Sequence, residues 1–494
     1  MVAKRKADSL ADSGREKIVK LEAELENGQS SLNNIVHLLD LAASDDLDTL
    51  EQAQRSLYKV FKRLISLKKL EKPAGEVPTI VTWLRERYGE YTRLLLDSIN
   101  HKKASVQLAA ITLSLRLLKV DPLNANVGQF PVDAYGKIVR AILTASNLHE
   151  STRYTFRNDY LEPFDDLRYY FYRACEQTVQ ATKTRGSKLH VCRDNSIGLL
   201  SALVSFPDKD EEIVKFWLSE STTKSSLRTV SGHKKAFSEA WIAVLSFKLT
   251  EDQYKAILNM MHKRIIPRLP RPQLLMDFLT DSYDVGGATS LLALNGLFYL
   301  MQHHNLDYPK FFEKLYALFD AQTMHVRYRS RFFRMVDIFL NSTHVSAMLI
   351  ASFLKRMSRL SLSAPPAAIV TILPLTYNLL KQHPSLMPLI HNPDGAAGND
   401  PFDADETDPE KTGAMQSSLW ELQSHTMHYH PNVATLAKIL SEQFTKIGYN
   451  LEDFLDHSYT TMTDAEMRKR LKNQVPTATD KPAGLLSPEG ILIW

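Results

Sequence analysis

The sequence has few of the residues that build disulfides or metal sites. Its 494 residues include two cysteines, Cys175 and Cys192, and no Cys-x-x-Cys pair. This excludes a disulfide framework and a cysteine-rich zinc site, and it is typical of a reducing compartment. Charge of one sign is also scarce, because 60 Lys and Arg against 56 Asp and Glu leave a formal net charge of +4. So small an excess does not by itself indicate a nucleic-acid-binding protein.

Long apolar runs are absent as well. The two most apolar stretches are 288–301 and 364–380. Both are shorter than the roughly 20 apolar residues that a membrane-spanning helix needs. We therefore expect two buried helices and no membrane contact. The basic start of the chain, "MVAKRKADSLADSGREK", has no apolar run behind it, so we expect no secretory signal.

Motifs of common enzyme families are missing too. The sequence has no GxxxxGK[ST], no GxGxxG after a strand and no GxSxG. Gly286 and Gly287 lie in "DSYDVGGATS", without the Lys and Ser/Thr of a phosphate-binding loop. We expect no catalytic residue, no cofactor and no small-molecule substrate.

Helical periodicity is what the sequence does contain, nearly throughout. Residues 91–120 suggest two helices around a short polar break. The second has one apolar face, because apolar residues recur at three- and four-residue steps: Val106, Ala109, Ala110, Leu113 and Leu117. Residues 431–448 show the same stripe, with Pro431 suited to the first turn and Gly448 to the stop. Stacked units of this kind predict an all-α fold, a HEAT/armadillo-like helical-repeat solenoid.

Polar breaks predict the domain organisation. We expect a disordered start (1–15), a helical-repeat region (16–284), a second helical domain (285–455) and a flexible tail (456–494) that ends in "GILIW". The second domain contains an acidic loop, 391–413, with Asp400, Asp403, Asp405, Glu406, Asp408 and Glu410. Their spacing does not match an EF-hand, so we expect a solvated loop and not a calcium site.

The segment "SSLWELQSHTMHYHP", 417–431, suggests the start of a helix. Ser418 and Glu421 have the spacing of a capping box, in which each side chain bonds the other residue's backbone N–H. We expect this helix to end near Tyr429 and to bury Trp420 against the helix at 431–448.

The same segment contains His425, His428 and His430, which raise the question of a metal site. They do not form a HExxH motif, and no cysteine or acidic ligand has a suitable spacing around them. Pro431 disfavours helical geometry at His430. We therefore predict hydrogen-bonded histidines at a corner between two helices, and no metal.

A basic segment, "HVRYRSRFFRMVDIF" at 325–339, is the candidate contact surface. Arg327, Arg331 and Arg334 fall at i, i+4 and i+7, on one helical face. Two interpretations stay open. The arginines grip RNA phosphates, or they pair with carboxylates of neighbouring repeats while the phenylalanines fill the core.

Three segments together resemble a known family. "DPEKTGAMQSSLWELQSHTMHYHPNV" resembles the signature of the CCAAT-binding-factor domain of nucleolar complex (Noc) proteins, in which an acidic "DP" loop leads into an "SSLWEL" helix and an "HYHP" corner. Residues 291–320 and 331–384 are similar to two further segments of that domain. The resemblance makes these family-signature residues with a structural role: Ser418, Trp420, Glu421, His428, Tyr429, His430 and Pro431.

This resemblance implies a non-enzymatic assembly factor of the nucleus and nucleolus. Proteins like this act in small-ribosomal-subunit biogenesis and pre-rRNA processing, inside the small-subunit processome, as a heterodimer with nucleolar protein 14. A contact with pre-rRNA is a further expectation. Promoter recognition is not, because the sequence has no helix-turn-helix, zinc-finger or basic-zipper spacing.

The alternative is a HEAT-type nuclear-transport or general adaptor outside ribosome assembly. The family interpretation expects the blocks 291–320 and 417–431 to lie on adjacent helices of one core. We also expect residues 285–494 to make the partner contact, because 291–301, 364–380 and "GILIW" are more apolar than an isolated surface allows.

Overall fold

The computed structural model describes residues 15–25, 32–44, 46–70, 78–120, 130–218, 225–285, 287–304, 310–326, 328–341, 345–391 and 400–470. These residues form α-helices with short 3-10 and π-helical segments, and no β-strand occurs among them. The predicted all-α fold class is confirmed. The helices belong to two units, one up to residue 306 and one from residue 307. Residues 1–14 and 471–494, with the "GILIW" end, lie outside the described residues.

The first unit is a succession of helices that pack on their neighbours in the chain. They are α1 (15–25), α2 (Asn34–Leu41), α3 (Leu47–Ser66), α4 (Thr79–Ser98), α5 (Ala104–Val120), α6 (Val132–Leu143), α7 (Glu150–Thr155), α8 (Asp165–Arg185), α9 (Leu189–Ala202), α10 (Val230–Leu245), α11 (Glu251–Met260), α12 (Met276–Asp284) and α13 (Gly287–His304). A π-helical segment, Phe156–Leu161, continues α7. The two helices predicted within 91–120 are confirmed as α4 and α5, and α5 buries Val106, Ala110, Leu113 and Leu117.

A buried glutamine joins two neighbouring turns of this unit. Gln107 of α5 is fully buried, and its amide N–H groups donate to the carbonyls of His101 at 2.6 Å and Asn147 at 2.7 Å. Its carbonyl accepts from the N–H of His149 at 3.1 Å and the hydroxyl of Thr152 at 2.9 Å. The amide thereby satisfies backbone groups that the ends of helices leave without intrahelical partners.

A second buried amide, on α9, makes a similar bridge. The amide of buried Asn195 donates to the carbonyls of Leu143 at 3.2 Å and Ala145 at 3.0 Å, at the end of α6. Helices α8 and α9 also bury the two cysteines, Cys175 and Cys192, as free thiols. Burial raises the pKa of Cys175 to about 12.

The second unit is built around a helix that is buried on all sides. Its helices are α14 (Phe311–Ala317), α15 (Arg329–Leu340), α16 (Ala347–Ser361), α17 (Pro366–Gln382), α18 (Trp420–Ser424), α19 (Pro431–Lys438), α20 (Glu452–Leu455) and α21 (Tyr459–Met467). Thirteen of the seventeen residues of α17 are buried. Helix α21 occupies part of the predicted flexible tail.

The two apolar stretches are core helices, as predicted. They form α13 and α17, and most of their side chains are buried. No helix in the described part of the chain combines the length and the apolarity needed to cross a membrane. The expectation that these two stretches supply exposed apolar surface for a partner is wrong, because their own units already cover them.

The helix predicted over 431–448 is shorter than expected. Helix α19 ends at Lys438, and Gly448 is not its stop. The physical reason lies in α17, whose side chains bond the backbone of this stretch. The Tyr377 hydroxyl donates to the Lys446 carbonyl at 2.9 Å, and Asn378 exchanges two hydrogen bonds of 2.8 Å with the backbone of Tyr449. These bonds satisfy the backbone outside a helix, so periodicity alone overestimated the length of α19.

Candidate functional site

The family-signature segment is fixed to α16 by a buried lysine. Lys355 and Glu421 have no exposed side-chain surface, and their charged atoms lie 2.7 Å apart. The Lys355 ammonium also donates to the Ser418 carbonyl at 2.7 Å and lies 2.8 Å from Asp400 Oδ2. An ammonium has three N–H donors, so these three oxygens satisfy it fully.

Arg359, one helical turn further along α16, balances the second carboxylate. Its guanidinium lies 2.8 Å from both Asp400 Oδ2 and Glu421 Oε1. The Ser358 hydroxyl donates to the other Glu421 oxygen at 3.0 Å. We call Lys355, Arg359, Asp400 and Glu421 the ion cluster. Two cations and two carboxylates leave it without net charge, which is the condition for burying charges at an acceptable cost.

The ionisation of Asp400 reflects its place in the ion cluster. Burial opposes its charge, but hydrogen bonds from Lys355, the Ser417 hydroxyl and the Phe402 N–H outweigh this and hold the pKa of the carboxyl well below its usual value. Asp400 is therefore charged at every physiological pH and ties the acidic loop to α16.

The predicted capping box is wrong. Helix α18 begins at Trp420 with Leu419 as the preceding residue, and no side chain caps it. Glu421 points at Lys355 instead of back at Ser418, whose contribution is its carbonyl. A carboxylate bonded to a buried ammonium gains more than one that caps an exposed N–H, so the distant partner determines the geometry.

Trp420 is not a core residue, so the prediction that it is buried is also wrong. It is 46 % exposed, and its indole N–H donates to Asp400 Oδ2 at 3.3 Å. The charged groups of Lys355 and Arg359 lie 5.6 and 5.3 Å from its ring centroid, which is cation–π distance. The indole covers the ion cluster, while Leu419 and Leu422 supply the buried apolar contacts of this segment.

The histidine corner is hydrogen-bonded, as predicted. Buried His425 places Nε2 2.7 Å from the Ser361 hydroxyl of α16. Burial, helped by neighbouring His428, lowers the pKa of His425 to about 4, so this ring is neutral near pH 7. Over the described ranges, no three His, Cys, Asp or Glu side chains converge in a way that could hold a metal ion.

The "HYHP" corner turns the chain into α19. His428 Nδ1 accepts the N–H of His430 at 3.0 Å, and His430 Nδ1 accepts the N–H of Asn432 at 3.3 Å. Pro431 occupies the first turn of α19, and His430 before it is extended, as predicted. The two histidines therefore hold the corner, and Tyr429 between them is left facing solvent.

Three large apolar side chains of this segment are exposed. Trp420, Met427 and Tyr429 are 46, 89 and 79 % exposed, and we call them the Trp420 face. Trp420 and Met427 are seven residues apart on a continuous helical run, which places them on one side of it. Three such side chains within ten residues on a fixed backbone make this segment a candidate interaction surface.

The described part of the acidic loop, residues 400–413, is held to α16 and exposes three of its carboxylates. Residues 392–399 lie outside the described residues. In the remainder, Phe402 and Thr412 are buried, and the Thr412 hydroxyl lies 2.6 Å from that of Ser352 on α16. The exposed carboxylates are those of Asp403, Asp405 and Glu410.

The candidate basic surface is only partly available to a ligand. Arg327 lies outside the described residues, and Arg331 is exposed on α15. Arg334 forms a two-pronged ion pair with Glu452, with Nε 2.6 Å from Oε1. Arg334 thus pairs with a carboxylate, as the second of the two interpretations states. A phosphate contact by Arg327 and Arg331 stays a prediction.

The neighbours of these arginines are structural. Arg329 is buried and donates to the carbonyls of Met324 at 3.1 Å and His457 at 2.8 Å. Phe332 and Phe333 are core residues. These bonds hold α15 to the segment that leads into α21, which explains why that part of the predicted tail is helical.

The two family blocks, 291–320 and 417–431, both contact α16, the first of them only through its last residues. In the first block, the Phe319 ring packs on Phe353 at 5.3 Å and its carbonyl accepts from Arg356 at 2.8 Å. The second block contacts the same helix through Lys355. Residues 291–304 of the first block belong to the first unit, and for them the expectation of a single core stays a prediction.

Sequence reasoning missed Lys355, Arg359 and the pairing role of Asp400. A signal was present, because Lys355 lies one helical turn after Ala351 and directly after Leu354, both buried. A lysine within an apolar helix face predicts a buried carboxylate partner. The identity of that partner, 66 residues later in the chain, has no local signal.

Comparisons with known proteins agree with this architecture. The CBF/Mak21 family model matches residues 290–437, and the model "Nucleolar complex protein 4-like, TPR repeats" matches residues 7–184. The predicted helical-repeat class is thereby confirmed for the first unit. An uncharacterized protein of Schizosaccharomyces pombe is 40 % identical over 94 % of this chain and 97 % of its own. "Nucleolar complex protein 4" of Saccharomyces cerevisiae is 36 % identical over 90 % of both chains, and "Nucleolar complex protein 4 homolog" of Mus musculus 33 % identical over 96 % of both.

Proposed function

The chain belongs to the nucleolar complex protein 4 family, and from this premise we propose that it is a non-enzymatic assembly factor of the small ribosomal subunit. It is a nucleolar protein of ribosome biogenesis, in a family of helical-repeat proteins that is not a known enzyme family. In our proposal it works inside the small-subunit processome as a heterodimer with nucleolar protein 14.

The Trp420 face is the observation that supports a role in protein binding. Its backbone is fixed before any partner arrives, because the ion cluster and the histidine corner hold residues 417–431 against α16. Binding then orders few additional groups, which lowers its entropic cost. Trp and Tyr are the residue types that contribute most to protein interfaces.

Charge narrows the kind of segment that fits this face. Asp400, which bonds the Trp420 indole, begins a stretch whose exposed side chains include Asp403, Asp405 and Glu410. An apolar face beside carboxylates favours a partner segment that combines apolar side chains with Lys or Arg. We propose that nucleolar protein 14 presents such a segment.

The heterodimer can be tested with purified full-length proteins. We expect Trp420→Ala and, separately, Tyr429→Ala to weaken binding of nucleolar protein 14 by at least about tenfold, as for interface hot spots. Tyr429→Ala is the cleaner variant, because Tyr429 makes no contact with the ion cluster. The matched controls are Tyr154→Ala and Met467→Ala, two other exposed side chains, 61 and 80 % exposed, which should keep wild-type affinity.

Two results would overturn the proposal at different levels. If the wild-type chain does not bind nucleolar protein 14, the heterodimer is wrong. If it binds and both signature variants bind equally well, the Trp420 face is not the contact. Depletion of the protein should reduce small-subunit pre-rRNA processing and leave large-subunit processing intact.

A further inference from the structure

The first unit has a surface that the proposed heterodimer does not use. Four turns join α4 to α5, α6 to α7, α8 to α9 and α10 to α11, at residues 99–103, 144–149, 186–188 and 246–250. Helices joined by short turns are antiparallel neighbours, so every second turn of such a series lies at the same edge. The four turns therefore share one edge of the first unit.

Hydrogen bonds show that these turns are in direct contact. The Asn147 N–H donates to the Asn100 side chain at 3.2 Å, which joins the first turn to the second. Lys188 Nζ donates to the Thr144 carbonyl at 3.4 Å, which joins the second to the third. Arg193 donates to the Lys248 carbonyl at 2.8 Å, which joins the start of α9 to the fourth.

The turns of this edge contain positive charge and no carboxylate, and the exposed carboxylates of Asp97, Glu150 and Asp194 lie on the helices beside them. The segments 99–103, 144–149, 183–190 and 246–250 have no Asp or Glu. Their cations are Lys102, Lys103, Lys183, Arg185, Lys188 and Lys248, and we call this set the basic edge. All but Lys183 are exposed. Lys183 is held in place by the Ser246 hydroxyl and lies 4.9 Å from the Phe247 ring centroid.

Carboxylates lie before and after this run of turns. Asp46 begins α3 in the preceding turn of the same edge, and Glu251 and Asp252 begin α11 after the last one. The connection that follows α9 is not one of these four turns. Its residues 203–218 expose a cluster of four carboxylates: Asp208, Asp210, Glu211 and Glu212. The net charge of +4 therefore conceals a polarised first unit.

We propose that the basic edge binds RNA through its phosphate backbone. Neighbouring packed helices are 8–10 Å apart, so four turns distribute six cations along roughly 30 Å. A regular line of cations matches the repeated charge of a phosphate backbone and carries no base specificity. A protein partner would need an apolar centre, and in these turns the exposed large apolar side chain is Leu189, which is 38 % exposed. Only the source of the RNA, a ribosomal precursor, rests on the proposed function.

The test compares two variants of the full chain with the same change in charge. The edge variant is Lys102→Gln/Lys103→Gln/Arg185→Gln/Lys248→Gln, in which none of the four side chains forms an ion pair with a described residue. The control is Lys62→Gln/Lys209→Gln/Lys215→Gln/Lys235→Gln, four lysines outside the basic edge. Fluorescence anisotropy measures binding to a labelled RNA of about 20 nucleotides, single-stranded or duplex, between about 50 and 200 mM salt.

We expect the edge variant to lose at least about tenfold in affinity and to lower the slope of log K against log salt by about 3–4. The control should stay within about twofold of wild type. Absence of wild-type binding at the lowest salt, or an equal loss in both variants, would overturn the proposal. So would stronger binding of the edge to a polyglutamate peptide than to RNA, which would indicate an acidic protein.

Binding of nucleolar protein 14 separates this inference from the proposed heterodimer. The edge variant should bind nucleolar protein 14 like wild type, because none of its four changes lies in the Trp420 face. A wild-type affinity for nucleolar protein 14 together with no RNA binding would refute the basic edge alone. RNA binding without binding of nucleolar protein 14 would refute the heterodimer alone.

Discussion

The two units hold their turns and loops to helices by different chemistry, the first through the Gln107 contacts and the second through the ion cluster. Each joins a turn or loop to a helix through a fully buried polar side chain. Gln107 does so with an uncharged amide that makes four hydrogen bonds. Lys355 does so with an ammonium that has three oxygen partners.

The difference lies in what each arrangement costs and how strictly it fixes geometry. An amide pays a modest desolvation penalty, so such a bridge can be repeated along an array, as Asn195 shows. Buried ions carry a large desolvation penalty, and one of them is left unpaired whenever its partner moves. The ion cluster therefore allows essentially one placement of α18 on α16, which suits the role in partner binding that we propose for Trp420.

Removing one charge from the ion cluster should have the largest effect. Lys355→Met leaves Glu421 buried without its main partner, and we expect the free energy that protects α18 to fall by about 3–5 kcal/mol. Hydrogen exchange of the amides in 417–431 measures it. Lys355→Met combined with Glu421→Leu should recover most of the loss. A single variant that loses less than about 1 kcal/mol would show that the cluster does not hold the segment.

Removing the amide bridge should have a smaller effect. Gln107→Met keeps the side-chain volume but leaves the carbonyls of His101 and Asn147 without this partner, so we expect a loss of about 2–3 kcal/mol. Exchange of the amides near His149 reports it. The control is Gln180→Met, an exposed glutamine, for which a change below about 0.5 kcal/mol is expected. Equal losses in Gln107→Met and Lys355→Met would remove the contrast between the two regions.

Acid should destabilise the second unit through His425. Burial lowers its pKa to about 4, whereas the unfolded chain takes up this proton near pH 6.5. Below pH 6.5 the unfolded state binds more protons, so unfolding becomes easier by about 2 kcal/mol between pH 7.5 and 5. Asp400, whose pKa is lowered, adds a further loss only as pH falls below its ordinary value of 3.8.

The variant His425→Gln isolates that contribution. Its unfolding free energy, from urea titrations at several pH values, should lack this part of the slope. His391→Gln, at an exposed histidine of the same unit, should retain the full wild-type slope. If His425→Gln and wild type have the same pH dependence, the ring is not held neutral in the folded protein.

Trp420 itself should contribute least to stability. Because its indole is 46 % exposed, Trp420→Phe loses mainly the hydrogen bond to Asp400, and we expect less than about 1 kcal/mol by thermal denaturation. Leu422→Ala, which truncates a buried neighbour, should cost about 2–5 kcal/mol. A larger loss of stability in Trp420→Phe than in Leu422→Ala would mean that Trp420 is a core residue.

Sequence periodicity predicted what depends on near neighbours and failed where a distant residue decides. The α4–α5 pair, the buried α17 and the turn at Pro431 follow from local patterns. The capping box at Ser418 also had a correct local pattern, but Lys355 binds Glu421 from another helix. Likewise, Asn378 of α17 hydrogen-bonds the backbone of Tyr449 beyond α19. Neither Lys355 nor Asn378 can be identified from the local sequence of the segment that it binds.

The buried thiols of the first unit can be used to measure how often α8 and α9 separate. Thiol reagents attack the thiolate, and burial both shields Cys175 and raises its pKa to about 12, so alkylation requires transient separation of α8 from α9. The labelling rate therefore measures the stability of the region that carries the third turn of the basic edge. RNA bound across that edge would slow alkylation without touching either sulfur. The same protection lets a surface cysteine be introduced for spectroscopic labels while Cys175 and Cys192 stay in place.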